Sequence, residues 1–319
     1  MLATEPLPVG RADIETAYDR ICGHVRQTPV ISPGRGSFGL DLDLTLKLEC
    51  LQHTGSFKPR GAFNSLMAAN VPEAGVAAAS GGNHGAAVAF AAARLGHRAT
   101  IFVPEISSPV KIEKIRQAGA EVHIGGARYA DAAEACAQFR AQTGAIDIHP
   151  YDTPTTIAGQ GTVGLEWETE APDLDTVLVA VGGGGLIAGV ATWYQDRVKI
   201  VAVEPERSCC LKAAREAGRP VDVEVDGVAA DSLGAKRVGD LVYRQAAAYV
   251  DEAVVVPDSA IESAEARLWR DLAIATEAGG ATALAALLSG AYRPGPTERV
   301  GVLVCGANVD LTRLATLTP

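Results

Sequence analysis

TVLVAVGGGGLIAGVATWY, residues 176–194, places a strand signal, four consecutive glycines and a helix signal in one unbroken run. TVLVAV reads as a strand buried on both faces, the kind a parallel sheet requires. LIAGVATWY, after the glycines, reads as a helix. Between them the glycines leave backbone N–H groups free to converge at a helix N-terminus, and no Cβ blocks an approaching anion. A flexible turn is the alternative, but four glycines in a short strand-to-helix link lose much conformational entropy on folding. The stretch therefore predicts an α/β protein with a phosphate site at Gly182, Gly183, Gly184 and Gly185.

The alternation continues on both sides. VKIVAVEP (198–205) is the next strand, helices follow within 258–275 and at 281–290, and RVGVLVCGAN (299–308) is a closing strand. Upstream, GVAAAS (75–80) leads into HGAAVAFAAARLG (84–96), then RATIFVP (98–104), PVKIEKIRQAG (109–119), AEVHIG (120–125) and YADAAEACAQFRAQTG (129–144). Gly96 and Gly144 suit left-handed caps. Strands and helices joined by short links give parallel βαβ units. Two open, twisted, mainly parallel sheets flanked by helices are expected. Residues 74–150 would form a small domain and residues 1–73 plus 151–319 a large one.

A chain of 319 residues is long for one hydrophobic core and comfortable for two. Its net charge of −10 argues against nucleic acid or an anionic membrane as the main partner. No apolar run reaches the length of a membrane span, and MLATEPLPVGRADIETAY lacks the basic-then-apolar order of a secretory leader. Cys22, Cys50, Cys136, Cys209, Cys210 and Cys305 form no CxxC pair, which fits reduced thiols in a cytoplasmic protein.

Three further segments carry chemistry-bearing residues. In GSFKPRGA (55–62), Lys58 lies among neighbours that make a poor solvated face. A lysine withdrawn from water has a lowered pKa and is a nucleophilic amine able to form a Schiff base; a surface lysine is the bland alternative. SGGNHG (80–85) is a second strand-to-helix glycine turn. Asn83 suits the N-cap of the helix that follows, and the turn's backbone donors and the Ser80 hydroxyl suit a carboxylate. His84 at a helix start is more often structural. VLVCGANVDL (302–311) puts Cys305 at the carboxyl end of a strand, where an open α/β sheet faces its ligand crevice, though a small buried thiol needs no function. GGGLIA (183–188) also matches a dinucleotide fingerprint, with Glu204 about 20 residues on as its ribose-binding acid. On that stretch alone a nicotinamide dehydrogenase is one reading. Cys209 and Cys210 have no third soft ligand nearby for zinc.

Taken in order, LKLECLQHTGSFKPRGA, SGGNHGAAVA, YDTPTTIAGQGTVGLEW, VGGGGLIAG, VAVEPE, TEAGGATALAALL and VLVCGANVDL resemble the fold type II pyridoxal-phosphate enzymes. The similarity is to the serine/threonine dehydratase and serine racemase group, and it covers nearly the whole chain. It implies a tryptophan-synthase-β-like fold and a homodimer. It also implies β-elimination of a β-hydroxy amino acid, L-threonine or L-serine foremost, to a 2-oxo acid and ammonia. By the same resemblance, Lys58 holds pyridoxal 5′-phosphate as a Schiff base and later takes the substrate Cα proton. Phe57 packs beside the cofactor, and Gly182 to Gly185 cradle its phosphate. Asn83 bonds the pyridine 3′-oxygen, Glu277 belongs to the cofactor pocket, and Cys305 stands beside the pyridine nitrogen. Ser80, Gly81, Gly82 and His84 receive the substrate carboxylate. The dinucleotide reading explains one glycine run and gives way; a non-catalytic homologue binding ligand through its two glycine turns stays open.

Departures from the group's pattern sort the alternatives. Its racemases carry a serine right after the residue matching Ser80, as acid/base opposite the lysine; here Gly81 carries no proton, so elimination without strong racemisation is expected. The racemase metal site uses the glutamate of VEP, a backbone carbonyl four residues on and an aspartate six on. The matching residues are Glu204, Ser208 and Cys210, and a thiol weakens a magnesium or calcium site. A lost site and one holding another ion both stay open. The same-fold alternatives are serine racemisation or a specialised dehydration of 3-hydroxyaspartate, phenylserine or a hydroxyectoine-derived compound. VDGVAADSLGAKRVGD (225–240) resembles the segment of threonine dehydratases near the substrate. A 3-hydroxyaspartate substrate would need a cation, for which His53, Arg60 and Lys236 are candidates. DLTRLATLTP is too short for a regulatory domain, so an unregulated catabolic enzyme is expected.

Overall fold

The computed structural model describes residues 6–107 and 109–317. The chain opens with helix α1 (Arg11–Ile21), strands β1 (Val30–Ile31) and β2 (Asp43–Lys47), and helix α2 (Lys58–Ala68). A first layer follows: β3 (Val76–Ala79), α3 (Asn83–Arg94), β4 (Ala99–Val103), α4 (Pro109–Gln117), β5 (Glu121–Ile124), α5 (Tyr129–Thr143) and β6 (Ile146–Asp147). The return carries α6 (Pro154–Glu170), β7 (Thr176–Ala180), α7 (Gly185–Tyr194), β8 (Lys199–Pro205) and α8 (Cys210–Ala217). Then come α9 (Ala230–Leu233), α10 (Asp240–Tyr249), β9 (Glu252–Val256), α11 (Asp258–Leu272), α12 (Ala278–Ser289), β10 (Arg299–Leu303) and α13 (Leu311–Leu317).

Two sheets result. One is ordered β5-β4-β3-β6 and is parallel throughout; the other is ordered β1-β2-β10-β7-β8-β9, with only β1 running antiparallel. Strand β7 lies inside the larger sheet, pairing Val179 with Ala202 of β8, and all its residues are buried. Helix α7 is buried on every side, as its uncharged sequence requires. Residues 176–194 therefore sit at the centre of the larger layer. Its helix packs very closely on α6: a Cβ on Gly189 would fall 2.4 Å from the backbone N of Gly161, so Gly189 admits no side chain.

Helix α2 is shared between the layers. Its Phe63 and Leu66 join Ile21 in the core of the four-stranded layer. Its fully buried Arg60 turns the other way, bonding Glu49 at 2.7 and 2.9 Å and Glu166 at 2.9 Å. Lys47 completes the cluster, 2.7 Å from Glu166 and 2.6 Å from Glu170. Arg60 is thus spent inside the protein and is no candidate for a substrate carboxylate. Strand β10 stops at Leu303, short of the expected 308, because the chain leaves the ladder to reach the start of α2. The Cys305 carbonyl accepts from Phe57 N at 3.3 Å, and Ser56 bridges Gly306.

Candidate active site

Those backbone bonds set Lys58 and Cys305 into one cleft. Phe57, Asn83, Gly182 to Gly185 and Glu277 line it with them, as do Tyr151, Ser232, Leu233 and Gly279. Lys58 is the first residue of α2, with Pro59 next to it, a position where proline loses no helical hydrogen bond. Its Nζ donates to the Pro150 carbonyl at 3.0 Å and lies 5.1 Å from the Phe57 ring centre. The side chain keeps some exposed surface because the cleft is open, yet protein surrounds the amine. Desolvation lowers its pKa to about 8, against the opposing pull of Cys305 and Glu277. The positive end of α2 works in the same direction.

Across the cleft, β7 runs into the glycine turn, and each glycine is there for want of room. A Cβ on Gly183 would lie 2.2 Å from the Tyr151 ring, one on Gly185 2.8 Å from Tyr151 Cα, and one on Gly182 3.0 Å from Leu233 Cα. Gly184 faces Val242 at 2.5 Å and has φ +89°, a conformation that side chains other than glycine's disfavour. Backbone donors at the N-terminus of a buried helix suit a phosphate dianion.

The Ser80–Gly82 turn ends β3. Ser80 Oγ accepts from Gly82 N at 3.3 Å, and a Cβ on Gly82 would lie 3.6 Å from the Asp231 carbonyl, so the turn faces α9 of the other layer. Asn83 is not the N-cap that its residue type suggests. Gly82 takes that position, and the Asn83 amide instead donates to Glu277 at 2.5 Å. A tertiary carboxylate has outcompeted the local cap. His84 is buried with Nε2 2.7 Å from the Ile148 carbonyl, and desolvation drops its pKa to about 3. It is neutral, donates to that carbonyl, and anchors the turn. Gly81 faces Ser107: a Cβ there would fall 2.5 Å from Ser107 Oγ.

Cys305 donates to the Gly279 carbonyl at 3.3 Å, and burial pushes its thiol well above the ordinary range. Glu277 is tucked beneath Gly306, where a Cβ would meet its Oε1 at 2.0 Å. Tyr151, Ser232 and Leu233 escaped the sequence reading as individuals, although YDTPTTIAGQGTVGLEW and residues 225–240 contain them.

Glu204, Ser208 and Cys210 do not line the cleft; the last two lie behind its wall. Both Glu204 oxygens accept from the start of α8, Leu211 N and Lys212 N at 2.8 Å each, and burial lifts its pKa to about 7. Ser208 Oγ donates to the Leu233 carbonyl at 3.0 Å and Cys210 Sγ to the Gly182 carbonyl at 3.2 Å. Glu204 is therefore a helix cap, which removes the ribose-binding acid from the dinucleotide reading. Among the described residues no group of three His, Cys, Asp or Glu side chains converges as a metal site. Of the other two cation candidates, His53 packs on Phe90 at 4.8 Å with its pKa lowered by burial, and Lys236 is exposed.

A phosphorylated aldehyde fits these residues: an amine kept partly neutral, a glycine turn without room for side chains, and an uncharged thiol at one end. The L-threonine ammonia-lyase of Thermotoga maritima is 38% identical over 85% of this chain and 69% of its own length. The biosynthetic L-threonine dehydratase of Escherichia coli is 39% identical over 89% of this chain but 56% of its own, so the chain spans little more than half of that relative. Maize serine racemase superposes with a TM-score of 0.90 at 34% identity, covering 97% of this chain and 96% of that one. Residues 21–306 match the family described as pyridoxal-phosphate dependent enzyme. Since that match runs from the end of α1 to just past Cys305, the chain belongs to the pyridoxal-phosphate dependent enzymes.

Proposed function

We propose that the chain catalyses β-elimination of a β-hydroxy amino acid, L-threonine or L-serine, giving a 2-oxo acid and ammonia. When bound, pyridoxal phosphate supplies an electron sink for charge developing at the substrate Cα. Gly182 to Gly185 would hold its phosphate, Lys58 its aldehyde carbon, Asn83 its ring oxygen, and Cys305 would stand at its ring nitrogen. The observation that carries the reading is the buried, protonated Cys305 thiol sharing the cleft with Lys58. A neutral thiol there would bring no negative charge to the ring nitrogen, which favours expelling the β-hydroxyl. Lys58, with its pKa near 8, is the general base for the Cα proton. The Ser80–Gly82 turn receives the substrate carboxylate, and neutral His84 holds that turn in place without moving protons. A reducing, cytoplasmic setting is the reading favoured by six scattered cysteines without a CxxC pair. A homodimer follows from the resemblance alone.

A second reading, racemisation, has one observation in its favour: the Ser107 hydroxyl lies where a Gly81 side chain would point. One experiment separates the two. Holoenzyme is incubated in deuterated water with L-threonine, L-serine, 3-hydroxyaspartate and phenylserine, following 2-oxo acid by a coupled assay and α-deuteration by NMR. Threonine or serine is expected to give 2-oxo acid with little α-deuterated D-isomer. No 2-oxo acid from any of them, or α-deuterated D-serine as main product, overturns the proposal.

The lowered pKa of Lys58 also sets how the apoprotein takes up its cofactor. Only the neutral amine attacks an aldehyde, and a lysine pKa of about 8 means that the neutral form grows as pH rises toward 8. The rate of appearance of the visible absorbance band should rise about tenfold per pH unit below that value and level off above it. A rate still climbing at pH 10 would mean that the amine is solvated.

A further inference from the structure

We propose that Asn308 and Lys114 are positioning residues that fix the Asn83 amide as a hydrogen-bond donor toward the cofactor; the inference rests on the pyridoxal-phosphate reading of the cleft. Asn83 and Lys114 belong to α3 and α4 of the four-stranded layer, while Asn308 follows β10 and Glu277 precedes α12 in the other. The four side chains form one line across the junction of the layers.

An asparagine amide can present either its oxygen or its nitrogen, and its surroundings decide which. Here they decide from both ends. Lys114 Nζ contacts Asn308 Oδ1, and an ammonium can only donate, so the Asn308 oxygen must face it. Asn308 Nδ2 meets the Thr54 carbonyl at 2.9 Å, which can only accept, and gives its other hydrogen to Asn83 Oδ1 at 2.6 Å. With its oxygen engaged, Asn83 turns Nδ2 to the cleft wall, 2.5 Å from Glu277 Oε1. Every bond runs in the same direction, from the ammonium to the cleft. Space for the line depends on Gly55, where a Cβ would fall 2.7 Å from Asn308 Oδ1 and 3.4 Å from Lys114 Nζ. A ring oxygen of the cofactor beside Asn83 therefore meets an N–H. With the amide reversed, two oxygen lone pairs would oppose each other.

Asn308→Asp reverses the line. The new carboxylate still accepts from Lys114 but cannot donate to Asn83, so Asn83 must turn its nitrogen to residue 308 and its oxygen to the cleft. Wild type, N308D, K114M and K114R are titrated with pyridoxal phosphate, reading the dissociation constant and the position of the visible band, with circular dichroism and the melting midpoint to establish folding. N308D is expected to bind about tenfold or more weakly with a displaced band, the size of one hydrogen bond to a charged partner turned unfavourable. K114M should show a several-fold loss with a displacement of the same sign, and K114R should match wild type. Wild-type affinity and band position in N308D would overturn the inference. A K114M protein identical to wild type would remove Lys114 from it, and K114M alone decides should N308D not fold. A wild-type chain that takes up no pyridoxal phosphate would overturn the cofactor reading itself, a failure distinct from the other two.

Discussion

Lys58→Ala is expected to leave a folded protein that has lost turnover and colour. The amine carries two jobs, holding the cofactor and taking the Cα proton. General base catalysis alone contributes about 10²–10⁴-fold, so kcat/KM should fall by at least about 10³-fold. The fold should not suffer, since among the described residues the amine's one hydrogen bond is to a backbone carbonyl, Pro150. Losing a partly desolvated cation also relieves a cost in the native state. The melting midpoint without cofactor should therefore hold or rise, while the borohydride-stable label on residue 58 disappears. Activity within tenfold of wild type would remove Lys58 from the chemistry and the proposed reaction with it.

Two residues along the same helix the expected outcome is the opposite. Arg60→Leu should destabilise the protein by about 3–5 kcal/mol, the usual cost of removing one partner from a buried ion pair. Glu49 would lose its guanidinium while fully buried, and Glu166 would keep Lys47 and the Thr28 N–H. Whatever fraction stays folded should retain more activity than Lys58→Ala, because Arg60 does not line the cleft. Urea unfolding of both variants measures the contrast. A loss under about 1 kcal/mol for Arg60→Leu would show that the ion cluster is not what anchors the start of α2.

What could be read before the structure was mostly what lies in one element. The buried strand, glycine turn and helix of 176–194 advertise themselves because a parallel sheet covered on both faces leaves no place for charge. Lys58 stood out by its uncharged neighbours. Its partners did not, since a backbone carbonyl such as Pro150, far along the chain, leaves no mark in residue type. Local propensity suggested Asn83 as a cap, and a carboxylate 194 positions away prevailed. Arg60 resembled an available cation only because nothing local reveals that Glu49 and Glu166 enclose it. The end of β10 was overextended because the apolar pattern continues through Cys305, while the carbonyls of Val304 and Cys305 accept from Cys50 and Phe57, outside the sheet. Helix α2 had no reading at all: it opens with Lys-Pro and holds a glycine at its fourth position.

The want of room around the glycine turn has a bearing on how such a protein can diverge. Its four positions are obstructed by different neighbours, Leu233, Tyr151 and Val242, drawn from separate stretches of chain. Admitting even a methyl group would demand matched changes at two or more sites together, which stepwise mutation rarely supplies. New substrate preferences are therefore expected on the opposite wall, at Gly82, where a Cβ would meet nothing nearer than the Asp231 carbonyl at 3.6 Å.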